Sequence, residues 1–309
     1  MVVFLLLKFA IADFLADREY KNISTATIST YKFTLQEFHS YCVENEIIDA
    51  DDVTGSTIKD YLLYCLHERS NNPTTRNTKL RTLKAFFNYL FDSEIIKSNP
   101  VKKVGFAKQE VKIEVFTDHQ IGQMLNYYKR KKTRYRSFYS YREYFMIVFL
   151  LGTGVRLSEM LNLKWSDIDL INGVISVFGK KREISSIPIS NKLKKEFLEY
   201  QLFCKLTFAE NELKYVFVTI DNTPLRPDTI KNIFKRLSKT MNFNDVRLSA
   251  HTFRHTFAHH CLMNGMDVFT LQKLLRHTDL SMTQRYLALW GTALKEQNDK
   301  YNPLNNIEL

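Results

Sequence analysis

The stretch HTFRHTFAHH, from His251 to His260, holds four histidines and one arginine in ten residues. Three kinds of chemistry fit such a cluster. His251, His255 and His259 stand four apart, the spacing by which two zinc ligands share a helical face. The segment is not HExxH, however, no carboxylate nearby is placed as a third ligand, and Arg254 would set a cation beside the metal. In the second reading the segment is a packing helix, with Phe253, Phe257 and Cys261 as its apolar stripe; His259 and His260 then need no function. In the third it is an oxyanion site, because His251 and Arg254 at i and i+3 lie on one face and both can donate to a single oxygen.

A site that handles phosphate needs further cations, and they occur in separated places. Arg156 lies in TGVRLSEMLNLKW at a turn opening into a helix, where it serves either as an anion ligand or as an ordinary surface arginine. Lys180 stands at the tip of a strand pair in ISVFGKKREISSIPI, either swinging over a bound ligand or serving solubility. A nucleotide-binding loop is excluded at GVISVFGKK: five residues separate the glycines where four are needed, and Lys181 occupies the Ser/Thr position. LLRHTDLSMTQRYLAL places His277 nine residues before Tyr286, and a lone helical tyrosine is either a core side chain or a nucleophile.

The elements that must position these residues follow from periodicity. From a cap at Ser24 or Thr25, the residues Ile28, Tyr31, Leu35, Phe38 and Cys42 form one helical stripe. A second helix from Thr54–Ser56 carries Ile58, Leu62 and Cys65, and a third, after Asn71, Asn72 and Pro73, buries Leu80, Leu83, Phe87 and Leu90. Residues 1–98 therefore read as an all-helical domain, 99–116 as a linker with Pro, Gly and spread charge, and 117–309 as a second domain. Within the second domain Thr117 caps a helix. KRKKTRYRSFYSYR, from Lys129 to Arg142, interleaves cations with aromatics as a solvated loop or a phosphate-contacting one. Two strands, Val174–Phe178 and Ile184–Ile189, flank the turn Gly179–Glu183, and a short strand is expected from Tyr215. Further helices are expected near 191–206, 227–241, 250–264, 267–275 and 281–289. The fold class is thus mainly α with a small antiparallel β-sheet in the second domain.

The 309 residues carry a formal charge of +11 and a hydrophobic fraction of 45%, the balance of a globular protein with an anionic partner. Residues 1–105 hold 13 Lys and Arg against 13 Asp and Glu, so the whole excess lies in residues 106–309. Cys42, Cys65, Cys204 and Cys261 form no CxxC pair and read as reduced core residues of a cytoplasmic protein. The opening MVVFLLLKFAIADFLA imitates a secretory signal, but it lacks a basic start, and Lys8 interrupts a run too short to cross a bilayer. It reads as a packed first helix, and no membrane association is expected.

The ordered set Arg156, Lys180, His251-x-x-Arg254, His277 and Tyr286 resembles the catalytic set of the tyrosine recombinases, the phage integrase family. TGVRLSEMLNLKWSDID is similar to its first-arginine box, HTFRHTFA to its HxxR box, and LLRHTDLSMTQRY to its His and Tyr box. The separations of 24 residues from Arg156 to Lys180, 23 from Arg254 to His277 and nine from His277 to Tyr286 are those of the family. TISTYKFTLQEFHSY and RNTKLRTLKAFFNYLFDSEIIKSNP resemble its helical, SAM-like core-binding domain. The resemblance covers nearly the whole chain and implies the simple two-domain type, without an arm-binding domain.

What the resemblance implies is site-specific DNA recombination. Arg156 and Arg254 would clamp the non-bridging oxygens of a phosphodiester and neutralise its pentacoordinate transition state. Tyr286 would attack to leave a 3′-phosphotyrosine, and strands would exchange through a Holliday junction. The phosphoester energy is kept in the covalent bond, so no cofactor and no metal is implied. His251 would assist as base, Lys180 (or Lys181, one residue out of register) would protonate the leaving 5′-oxygen, and His277 would bond a phosphate oxygen. Glu159 would orient an arginine or sit as an exposed helix carboxylate, and His255 would buttress Arg254. The implied partners are double-stranded DNA with inverted-repeat core sites, a homotetramer in the synaptic complex, and accessory directionality proteins. Residues 290–309 are expected to form a docking arm or a packed terminus. A type IB topoisomerase-like nicking-closing enzyme and a non-catalytic DNA-binding protein of the same fold are the alternatives.

Overall fold

The computed structural model describes residues 6–110, 113–178, 184–208, 213–277, 283, 284 and 286. The chain divides into two compact units, Met1–Val111 and Lys112–Leu309.

Among the described residues, the first unit is built from α1 (Leu7–Tyr20), α2 (Thr25–Glu44), α3 (Gly55–His67) and α4 (Pro73–Asp92). Their starts are set by local chemistry. The Ser24 hydroxyl accepts the Thr27 N–H, Thr54 and Thr57 cap each other reciprocally, and Asn72 accepts from Thr75 just before Pro73. Within the described part of the opening apolar run, Leu7, Ala10, Ile11 and Phe14 of α1 are buried. Phe14 meets Phe86 edge-on, and Phe38 meets Tyr61 and Phe87, so aromatic rings fill the centre of the bundle. The stretch expected as a linker joins this core in part: Val101 and Val104 are buried in it, and the Asn77 side chain pairs with both backbone groups of Ala107.

The second unit is organised around α6 (Phe138–Thr153), packed against α5 (Asp118–Tyr135), α8 (Asn191–Phe208) and α10 (Ala250–Met263). Phe145, Phe149, Phe197, Tyr200 and Phe217 form its aromatic centre. The basic segment from Lys129 to Arg142 is helical rather than a loop: α5 runs to Tyr135, Arg136 turns the chain at φ 44°, and Ser137 caps α6. Between α6 and α8 lie α7 (Leu157–Leu161), a single 3-10 turn and a sheet of β1 (Ile168–Asp169), β2 (Val174–Phe178) and β3 (Ile184–Pro188), antiparallel in the order β1-β2-β3.

Ile175 pairs with both Ile168 and Ile187, which puts apolar side chains on the core face. The two-residue β1 is too short to leave a period in the sequence. The strand expected from Tyr215 is instead bent chain, buried at Val216, Phe217 and Val218 and held by isolated bridges from Tyr215 to Lys164 and from Val218 to Pro224. It pairs too briefly on either side to form a ladder. The domain closes with α9 (Pro227–Met241), α10 and α11 (Val268–Leu275). Thr283, Gln284 and Tyr286 are helical, while the rest of the helix expected over 281–289 and the tail 290–309 lie outside the described residues.

Candidate active site

Gly154 ends α6 in the left-handed conformation, φ 57°, and a Cβ there would fall 2.5 Å from the Phe257 ring of α10. Only glycine lets these helices close to this distance. The approach turns the Gly154 carbonyl toward α10, where it accepts from Arg254 Nη1 at 2.7 Å. Arg254 Nη2 donates to the Leu275 carbonyl at the end of α11. Buried to 4% exposure, the guanidinium is thus fixed by two helix ends. Burial, with the repulsion of Arg156 and Arg276, lowers its pKa to about 10, so it remains a cation at neutral pH.

Arg156 lies two residues beyond Gly154 and is bound three ways. Nη1 donates to Glu159 Oε1 at 2.7 Å, the backbone N–H donates to Glu159 Oε2 at 2.8 Å, and Nη2 donates to the Arg276 carbonyl at 2.9 Å. Glu159 is buried, at 7% exposure, so of the two readings left open it is the one that orients an arginine. Burial pushes its carboxyl up, but Arg276 and Arg156 outweigh burial and hold it below the usual range.

Arg276 joins these residues although it was not singled out from the sequence. It ends α11 at φ 54°, a conformation rare outside glycine, and its Nη2 donates to Glu159 Oε2 at 2.7 Å. Glu159 alone would cancel the charge of Arg156; with Arg276 the trio carries a net positive charge. The one signal in sequence is the end of the apolar period immediately before His277.

His277 is buried, and its Nδ1 lies 2.9 Å from the Thr283 hydroxyl. Burial and the cations Arg254, Arg156 and Arg276 lower its pKa to about 4. Tyr286 is 3% exposed in a small core with Ala258, Leu262, Leu271 and Leu275, its ring stacked 6.3 Å from that of His277. The Tyr286 Oη lies 2.8 Å from His255 Nδ1. His255, expected as a buttress of Arg254, directs its hydrogen bond to the tyrosine instead. His251 is exposed, its ring 5.5 Å from that of His255. Its pKa is lowered by burial of part of the ring and by Arg254 and Arg156.

One chain therefore brings Arg156, Arg254, His277, His255, His251 and Tyr286 into a single cationic cluster. Lys180 and Lys181 lie outside the described residues. Among the described residues no group of three His, Cys, Asp or Glu side chains converges as metal ligands, and His251, His255 and His259 follow one another along α10 rather than meeting at a point.

Two family matches divide the chain as the structure does. The phage integrase family matches residues 114–290, and the phage integrase SAM-like domain matches residues 8–111. This chain belongs to the phage integrase family. Its relatives include the tyrosine recombinase XerC of Thermodesulfovibrio yellowstonii, 29% identical over 92% of this chain and 93% of the relative. XerC of Chlorobaculum parvum is 26% identical over 92% and 90%, and XerD of Halalkalibacterium halodurans 28% identical over 92% and 93%. The integrase fold recurs in the Tn1549 transposon integrase solved with circular intermediate DNA, with TM-score 0.70, 22% identity, and coverage of 89% of this chain and 94% of that one. It recurs in the XerH site-specific recombinase bound to palindromic difH substrate, with TM-score 0.73, 18% identity, and coverage of 90% and 80%. As a phage integrase family member with recombinase relatives along nearly its whole length, the chain is a tyrosine recombinase.

Proposed function

We propose that this recombinase cleaves and rejoins duplex DNA at core sites of inverted repeats, with Tyr286 as nucleophile and a 3′-phosphotyrosine as the intermediate. The observation that carries the reading is the convergence of Arg156, Arg254, His277 and Tyr286, drawn from four separated segments, around one buried phenol. Arg156 and Arg254 clamp the non-bridging oxygens; the hydrogen bonds that hold both guanidiniums leave them pre-oriented, so little reorganisation accompanies charge build-up on the phosphorus. In the tautomer this mechanism calls for, the Thr283 hydroxyl donates to His277 Nδ1, 2.9 Å away, and the proton stands on Nε2 for a phosphate oxygen. His251, on the exposed side of the cluster, donates to another. Lys180 protonates the departing 5′-oxygen.

Tyr286 serves the site of its own chain, because that chain already sets it beside Arg254, His255 and His277. Exchange between two duplexes breaks four strands, and one tyrosine per chain then calls for four copies, a homotetramer passing through a Holliday junction. The XerC and XerD relatives are named as recombinases, which favours strand exchange over a nicking-closing role. The described residues contain no helix long and apolar enough to cross a membrane. We place the enzyme in the cytoplasm, with accessory directionality proteins as further partners.

The test begins with a pool of duplexes whose core is randomised to sample the site sequence and nicked so that the short 5′-hydroxyl fragment released by cleavage diffuses away. Wild type should capture members of the pool covalently, with the 3′ end on Tyr286, and Tyr286→Phe should capture none. Absence of an adduct with wild type overturns the reading. Strand transfer between two labelled duplexes of the captured sequence then separates recombinase from nicking-closing enzyme.

A further inference from the structure

The nucleophile of this site is the group least prepared to act. Tyr286 is buried, and burial raises its phenol above the ordinary value near 10 against the opposing pull of Arg254. At neutral pH it therefore has to lose its proton to a neighbour as it attacks.

We propose that His255 is the general base of strand cleavage, taking the phenolic proton of Tyr286 on Nδ1 and returning it when the strand is rejoined. The inference rests on the reading of Tyr286 as nucleophile. Its warrant is geometric. Nδ1 lies 2.8 Å from the phenolic oxygen, within direct proton-transfer range, with the two rings inclined at 70° and their centroids 5.6 Å apart. The other arginine-flanking imidazole, His251, sits one turn earlier on α10, against the ring of His255 and toward solvent.

The balance is simple. As the phenolic oxygen bonds to phosphorus, its O–H bond breaks and the proton passes to His255 Nδ1. The P–O5′ bond breaks with its electron pair on the 5′-oxygen, which takes a proton from the leaving-group acid. In the reverse step the 5′-hydroxyl attacks, the P–O bond to Tyr286 breaks, and the phenolate recovers its proton from His255.

The surroundings of His255 set how strong a base it is. Among the described residues the titratable and charged groups facing it are His251 and Arg254 of α10, His277 beyond α11, and Tyr286 itself. Burial first, then the repulsion of His251 and Arg254, keeps its imidazole neutral, with a pKa of about 4. It can accept, therefore, but holds a proton poorly. A phosphate seated between Arg156 and Arg254 offsets that repulsion and makes His255 a stronger base only when the substrate is in place.

The test uses the full chain and the duplex recovered by covalent capture, in single-turnover cleavage from pH 6 to 9, with thermal melts and DNA binding to confirm folded variants. His255→Gln keeps a hydrogen-bond acceptor beside the phenol and removes its basicity; His255→Ala removes both. Each should cut about 100-fold more slowly than wild type at pH 7, in the range of a lost general base. The deficit should shrink about tenfold per pH unit toward pH 9, as hydroxide supplies the phenolate. His251→Gln should instead lose a factor that does not change with pH. A His255→Gln enzyme as fast as wild type, or a deficit constant across pH, overturns the assignment while leaving Tyr286 as nucleophile. Failure of wild type to capture any duplex removes the nucleophile reading and this inference together.

Discussion

On the proposed mechanism Arg254 carries two duties that the sequence could not separate. As a phosphate ligand its loss should lower cleavage by about 10²–10³-fold or more, the cost of removing an oxyanion donor. Its side chain also satisfies the Gly154 and Leu275 carbonyls, and each of these, left buried without a donor, costs about 1–3 kcal/mol. Arg254→Ala should therefore abolish the covalent adduct and lower the urea midpoint, with DNA binding largely kept at concentrations where the variant is folded. Unchanged stability in that melt would show that the two carbonyls find water instead.

At the scale of elements, the site is an assembly of helix ends. The C-terminus of α6 supplies the Gly154 carbonyl, the end of α11 supplies those of Leu275 and Arg276, and α7 opens on Arg156 with Glu159 one turn on. Carbonyls that a helix leaves without partners become the sockets that orient the guanidiniums. Arg276 joins two of these ends by its backbone and its side chain. Arg276→Gly keeps the carbonyl, suits the positive φ and removes the bridge to Glu159 together with the side chain's bond to the Leu274 carbonyl. It should leave the melting temperature within a few degrees of wild type and DNA binding unaltered, and slow cleavage by about 10-fold, since Glu159 then cancels the charge of Arg156 with no second arginine to offset it. Arg276→Ala, which has neither the bridge nor glycine's freedom, should be the less stable of the two in the same melt.

For the whole molecule, the cationic cluster makes stability depend on acid. His255 and His277 have folded pKa values of about 4, below the ordinary value of 6.5 that they regain on unfolding. Between those values the unfolded chain binds more protons than the folded one, so stability is retained above about pH 6.5 and falls as the pH drops toward 4. For the buried His277, every tenfold loss of proton affinity on folding corresponds to about 1.4 kcal/mol of this acid-dependent stability. Thermal melts from pH 7 to 4.5 should show a steady loss, and His277→Gln should flatten part of that slope while costing stability at pH 7.

How much of this was legible in the sequence follows from what each residue depends on. The helices of the first unit could be read because amphipathic stripes and caps at Ser24, Thr54 and Asn72 act within a few residues. Arg156, Arg254, His277 and Tyr286 could be read because the family keeps them at characteristic separations in ordered boxes. The sequence by itself thus determined most of the helices, the β2–β3 pair, the concentration of positive charge after residue 105 and the candidate side chains of the site other than Arg276. Only the tertiary structure decided which imidazole meets the phenol, for His251 and His255 are one turn apart on α10 and lie 35 and 31 residues before Tyr286, a difference that does not choose between them. It also decided that Arg276 bridges to Glu159, 117 residues away, and that Gly154 must lack a side chain. Such contacts are set by how closely α6, α10 and α11 approach, a packing distance that no local pattern of residues encodes.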